Sequence, residues 1–388
     1  MKTILLIVII FILLLALLFA PIPNIADVGR VDFTAYWSAS YLLAHSQNFS
    51  DAAQLLSVEQ TLAGWPADFP IFIWNPPWLL TMLLPYTLVS FARARWLWLI
   101  SNILFIFSGS IMAWLASSAT PDVKKFAWIG PIIGFLFAPA LTALYMGQVN
   151  TLVFFGLALY LFLEKANYQI GSGIGLTLTM VKPHLVYVTI AVLTLRALWR
   201  KQWRFLTGFA GTLLFLTLVA FLLRPSFLTE YLDNTVEGQL LNWVTPTLGD
   251  FLSYTFGWSW AKLIGILVLP LAIIWWWRVR LTIQTAELVQ ITLLISITTA
   301  PFGWGYDAIV LLIPIIQIVV WVFEKSYSTV VSILFILALI MTDALIFYHR
   351  TIIESEVEVF WIPVLIAFLY FLARYKRKQA VPATAVPI

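Results

Sequence analysis

The sequence predicts an all-α polytopic transmembrane bundle of about ten to twelve spans, and three observations carry that prediction. Residues are 62% hydrophobic and only 10% charged, with a mean hydropathy of +0.96, far outside the range of soluble domains. Apolar stretches near or above the roughly 20 residues a helix needs to cross a bilayer recur along the chain, and none alternates as a barrel strand would. Basic residues gather in short segments between those stretches, the pattern that sets membrane orientation.

Composition also narrows the function. The net charge of +4 sits in short loops, so it reads as a topology signal and not as a nucleic-acid footprint. With no Cys and only His45, His184 and His349, disulfides and thiolate metal sites are excluded, and no metal or other cofactor is predicted. The 19 Trp, 14 Tyr and 29 Phe suit interfacial belts, stacking on sugars or contact with membrane lipids.

Taken in order, Ile4 to Ala20 reads as an uncleaved first span followed by Pro21-Ile22-Pro23. Residues 21–76 form a long acidic segment outside the cytoplasm, with amphipathic helices predicted at about 33–46 and 51–63. Pro76-Pro77 should open a second span, closed inside by Arg93 and Arg95 and followed by a third at about 96–117. Two threadings then reach the next basic cluster, Arg196 to Arg204. Three simple crossings put Gln148 inside. Breaks at Pro139 and Lys182-Pro183 instead gather Gln148, Asn150, Lys182 and His184 on the side of Asp32, and this second threading is preferred. Spans near 205–223, 258–277, 287–301, 308–323, 328–347 and 359–373 follow, with a second large outer loop at 224–257. Residues 1–378 read as one domain and 379–388 as a disordered tail.

Polar residues inside apolar tracts mark functional sites by default. Asp32, next to Arg30, is either a general base or the cap of the helix that follows. Lys182 is either a snorkelling lysine or the partner of a buried anion, most simply a phosphate, with His184 as a second phosphate contact or a packing residue. Gln148 and Asn150 serve either helix packing or a sugar. Asn75 and Asp307 are cap or substrate contacts, and Tyr36 and Trp304 are aromatic candidates for sugar or acceptor binding. Asp343 lies alone in a late span. A sugar joined to a lipid phosphate suits these parts, because transfer then needs a base for the acceptor hydroxyl and cations for the departing phosphate.

The segments Val-Asp-Phe-Thr-Ala-Tyr-Trp-Ser-Ala (31–39), Trp-Asn-Pro-Pro-Trp (74–78), Met-Gly-Gln-Val-Asn (146–150), Val-Lys-Pro-His (181–184) and Gly-Trp-Gly-Tyr-Asp (303–307) resemble, in order and spacing, the glycosyltransferase 87 family of the GT-C superfamily. The resemblance implies a polyprenyl-phosphate-linked sugar donor, often mannose, and an inverting mechanism with Asp32 as base. It also implies an active site on the extracytoplasmic face of the cell membrane. A lipid or glycan acceptor is expected. The rival reading is a transporter or flippase, but the chain lacks the paired broken segments of two repeated halves.

Overall fold

The computed structural model describes residues 27–237, 244–349 and 357–380, and every regular element among them is helical. The expected span at 4–20, Glu354, Glu356 and the tail from residue 381 lie outside the described residues.

The long segment before Pro76-Pro77 contains α1 (Val31–Ala44) and α2 (Ala52–Thr61), close to the predicted ranges. Asp51 caps α2 by accepting the Gln54 N–H at 2.8 Å. Instead of lying on a surface, α1 is enclosed, with Phe33, Tyr36, Trp37 and Leu43 all buried. Its apolar side chains spread round the helix and form no single stripe, so protein covers every face. The Phe33 ring stacks between Phe91 and Trp98, with centroids 6.0 and 5.6 Å away.

Helix α3 (Trp78–Thr87) starts just past the two prolines but has only 10 residues, a rise of about 15 Å. It cannot take the chain across a membrane. Full crossing begins with the 27 residues of α4 (Phe91–Ser117), and α4 runs parallel to α7 (Asn150–Lys165). The contacts fix that direction: Trp98 Nε1 donates to the Gly147 carbonyl at 2.8 Å, Gly109 faces Phe154, and Lys165 Nζ donates to the Leu115 and Ala116 carbonyls at 3.0 and 2.8 Å. Arg93 and Arg95, on the first turns of α4, therefore stand at the same end as Gln148 and Asp32. The sequence reading had placed them at the opposite end, because it let the short α3 count as a crossing.

Moving that marker simplifies the path. Helices α5 (Ile129–Leu136) and α6 (Ala138–Met146) form one crossing bent by 68°. The hinge is Phe137, and Pro139 sits in the first turn of α6 where its missing N–H costs nothing. Helices α8 (Gln169–Leu178) and α9 (Tyr187–Trp199) meet at Lys182 through two 3₁₀ turns. Gln148, Asn150, Lys182 and His184 thus join the Asp32 end, as the second threading required, although by this different route.

The chain continues through α10 (Trp203–Leu223), the connecting helices α11 (Phe227–Glu237) and α12 (Leu248–Phe256), then α13 (Ile264–Val279), α14 (Thr285–Thr298), α15 (Leu312–Phe323), α16 (Thr329–Tyr348) and α17 (Trp361–Ala380). Five described helical stretches, at 91–117, 203–223, 259–279, 305–323 and 329–348, are long and apolar enough to cross a membrane, and the bent 129–146 pair makes a sixth. Shorter apolar helices, among them 169–181, 187–199 and 285–298, fill the bundle, so the sequence count of spans included pieces that the fold shortens or breaks. The protein is a multi-pass membrane protein. At its centre lies α15, buried from Leu312 to Val322. Small residues let backbones approach where no hydrophobic effect drives helices together: a Cβ on Gly156 in α7 would lie 2.7 Å from the Gly175 carbonyl in α8.

Candidate active site

Asp32 is the second residue of α1, and the N-cap position belongs to Arg30, which makes no side-chain cap bond. The capping alternative for Asp32 therefore gives way to another contact. Gln148 Nε2 donates to Asp32 Oδ2 at 2.7 Å, while the Tyr36 hydroxyl donates to Gln148 Oε1 at 3.0 Å. This chain of bonds fixes which way the amide faces, and the first-turn position adds the favourable field of the helix start. A backbone clasp sets the register. Gly29 N–H donates to the Tyr145 carbonyl at 2.7 Å. Gly147, left-handed at φ +74°, ends α6 so close that a Cβ there would lie 2.9 Å from the Gly29 carbonyl oxygen. Only glycine fits that approach.

A second cluster forms around a buried ion pair. Lys182 Nζ lies 2.7 Å from Asp307 Oδ1, with side chains 4% and 3% exposed. Asp307 Oδ2 accepts the Trp304 N–H at 2.9 Å, so Asp307 caps its own turn and binds Lys182 together. Asn150 donates to the Tyr306 carbonyl and lies 3.5 Å from Asp307 Oδ1. The lysine also stands over the Tyr306 and Trp304 rings at 4.9 and 5.8 Å, a desolvated setting in which cation–π attraction is strongest.

Asn75 caps nothing: the α3 N-cap is Pro77. Its amide instead donates to the Val181 carbonyl at 2.8 Å, and Trp78 Nε1 donates to the Met180 carbonyl at 2.8 Å. Together they tie the start of α3 to the loop that presents Lys182. His184 packs its ring 4.2 Å from Phe302. Its Nε2, like Asn150 Oδ1, is buried without a hydrogen-bond partner among the described residues.

The two clusters share one site. Burial, then the negative charges of Asp32 and of Asp307, push the Tyr36 phenol well above its ordinary value, so both carboxylates act on the same hydroxyl. Gln148 and Asn150, two residues apart, each serve one cluster. Arg30 is turned aside: its guanidinium donates to the Gly64 and Ala63 carbonyls and lies 4.0 Å from Asp27. Among the described residues no group of three or more His, Asp or Glu gathers as a metal site would. Sequence reasoning missed Trp78 as a clamp on the Lys182 loop and Trp98 as the clamp on Gly147. An indole in an apolar helix gives no sign of which carbonyl it will reach.

The arrangement is a carboxylate oriented by an amide, beside a buried lysine and unpaired polar atoms, at one end of a membrane bundle. Such a set can take a proton and balance a departing anion. No curated protein and no solved structure matches the chain. The family model of glycosyltransferase family 87 matches residues 72–302. That stretch contains Asn75, Gln148, Asn150, Lys182 and His184, and its contacts reach Asp32 well before it and Asp307 just after it. With more than half of its length matched, the chain belongs to glycosyltransferase family 87.

Proposed function

We propose that the protein transfers a hexose, mannose being the first candidate, from a polyprenyl-phosphate donor to a hydroxyl of a lipid or glycan acceptor at the extracytoplasmic face of the cell membrane. The observation that carries this reading is the Asp32–Gln148–Tyr36 chain of hydrogen bonds placed beside the Lys182–Asp307 pair. Asp32 removes the acceptor proton, and the acceptor oxygen attacks the anomeric carbon from the side opposite the phosphate. The carbon–oxygen bond to phosphate breaks, polyprenyl phosphate leaves with the electron pair, and the configuration inverts. Phosphate has a low enough pKa to depart without a general acid.

Lys182 is the buried cation of this site. When a phosphate enters, its ammonium has two anions to serve, and Asp307 holds it in place between turnovers. Asn150 and His184 offer a buried acceptor and a ring nitrogen to sugar hydroxyls or phosphate. Sidedness is inferred from charge. The end opposite the site carries Lys124, Lys125, Lys165, Arg196, Arg200, Arg280, Arg374 and Arg377, an excess that belongs in the cytoplasm.

The test incubates purified protein with radiolabelled polyprenyl-phosphate sugars and membrane lipid extract. Wild-type protein should form labelled product, and Asp32→Asn should lose about a hundredfold to ten-thousandfold in rate while binding donor normally. Losing a positioned base accounts for about 10² to 10⁴. Near-wild-type turnover by Asp32→Asn would remove its catalytic assignment, and absence of product with every donor would favour a transporter.

A further inference from the structure

Asp343 is an acid inside the apolar helix α16, remote in sequence from every site residue. Its Oδ1 accepts the Ala138 N–H at 2.8 Å, and Ala138 is the first residue of α6, just past the Phe137 hinge. A helix that restarts inside a membrane has backbone donors with no preceding turn to receive them, and no water replaces the partner. At this start every donor is accounted for. Pro139 has none, Ala140 and Leu141 donate to the Phe137 carbonyl at 2.8 and 3.2 Å, and Ala138 is met by the carboxylate of another span.

We infer that Asp343 is a positioning residue: it caps α6 from α16 and thereby sets where the opposite end of α6 delivers Gln148 to Asp32. The 9 residues of α6 form a rigid rod of about 13 Å. At the far end the rod is clamped by Gly29 on the Tyr145 carbonyl and by Trp98 on the Gly147 carbonyl. A rod fixed at both ends holds the amide that orients the carboxylate. With the hinge end released, α6 can tilt about Phe137, and a small displacement of Gln148 costs the Asp32 geometry, because misplacement on the order of 1 Å can lower a rate about a hundredfold. The effect on turnover rests on the transferase reading above, whereas the effect on α6 does not.

Two variants separate the possibilities. Asp343→Asn keeps an oxygen acceptor for the Ala138 N–H, and Asp343→Leu removes it. In nanodiscs, amide hydrogen exchange over residues 138–146 should quicken in Asp343→Leu and stay near wild type in Asp343→Asn. With active donor, Asp343→Leu should lower kcat tenfold to a hundredfold with donor KM changed less than threefold, and Asp343→Asn should rescue most of that loss. Unchanged exchange in Asp343→Leu overturns the inference, as does faster exchange with unchanged kcat. If wild-type protein transfers no sugar at all, the transferase reading fails, and the exchange data still decide whether Asp343 holds α6.

Discussion

Two ion pairs, one at each end of the bundle, hold charge in different surroundings. At the site end Lys182 and Asp307 are sealed from solvent, 4% and 3% exposed. At the other end the pair of Arg377 and Glu324, 3.2 Å apart, leaves the arginine side chain 37% exposed although its acid is only 6% exposed, and Arg374 with Glu287 has both partners partly accessible. Both kinds of pair look alike as a distance. They differ in what water does: a solvated pair exchanges one set of partners for another at little gain, whereas a buried pair has already lost its hydration and depends on its partner. The lesson is that the site holds its charges where an entering anion would feel them most, at some cost to the fold.

The sharpest way to break this contrast is to remove one member of the buried pair. Lys182→Met should lower stability by about 3–5 kcal/mol, because Asp307 is left charged with no cation, and the double variant Lys182→Met/Asp307→Leu should recover most of the loss. Thermal unfolding of the purified protein in detergent reads both. Equal unfolding of wild type and Lys182→Met would mean that the pair is not desolvated in the way its burial implies.

This contrast bears on how much was legible in the sequence. Fold class, the interruption at Lys182 and the convergence of distant motifs could be read, because a charge or a proline inside an apolar tract stands out on its own. The placement of Arg93 and Arg95 could not. A pair of arginines between two apolar tracts signals a cytoplasmic loop only if the preceding helix crosses, and Pro85, two residues before the end of α3, is only a weak local sign that it stops after 10 residues. The role of Asn75 was hidden for a similar reason: beside Pro76-Pro77 a cap is the local expectation, and the carbonyl it reaches is 106 residues away. Asp343 gave a warning without a meaning, since its partner is a backbone N–H exposed by a bend in another span.

A smaller effect is expected in α2, which carries no site residue. Glu59 on α2 is fully buried, and its two oxygens accept the Ile71 N–H at 3.2 and 3.1 Å. Burial pushes this carboxyl up from 4.5 to about 7, opposed by that hydrogen bond. Because the folded value lies above the unfolded one, the contribution to stability is fully present below about pH 4.5 and is lost as pH rises through about 7. Exchange at the Ile71 amide should therefore quicken between pH 5.5 and 8 beyond the intrinsic increase. Glu59→Gln, whose amide oxygen still accepts Ile71, should remove the excess, and a wild-type profile in Glu59→Gln would assign the pH response to another group.

The least costly change lies at the basic end. Arg377→Ala removes a half-exposed guanidinium from Glu324 and from the Trp321 face, 5.1 Å away. Glu324 keeps a partner, because its Oε1 accepts the Ala119 N–H at 2.7 Å. Glu324, 6% exposed, keeps that bond but loses this cation, so the loss should exceed the roughly 0.2–1 kcal/mol of an exposed pair and stay below the roughly 3–5 kcal/mol of the sealed one, and should shrink as salt is raised. Sugar transfer should be unaffected, since the change lies at the end of the bundle opposite Asp32. A loss of 3 kcal/mol or more in the same unfolding assay would place Glu324 among the desolvated acids, and the two ends would then differ in what they bind and not in how they hold charge.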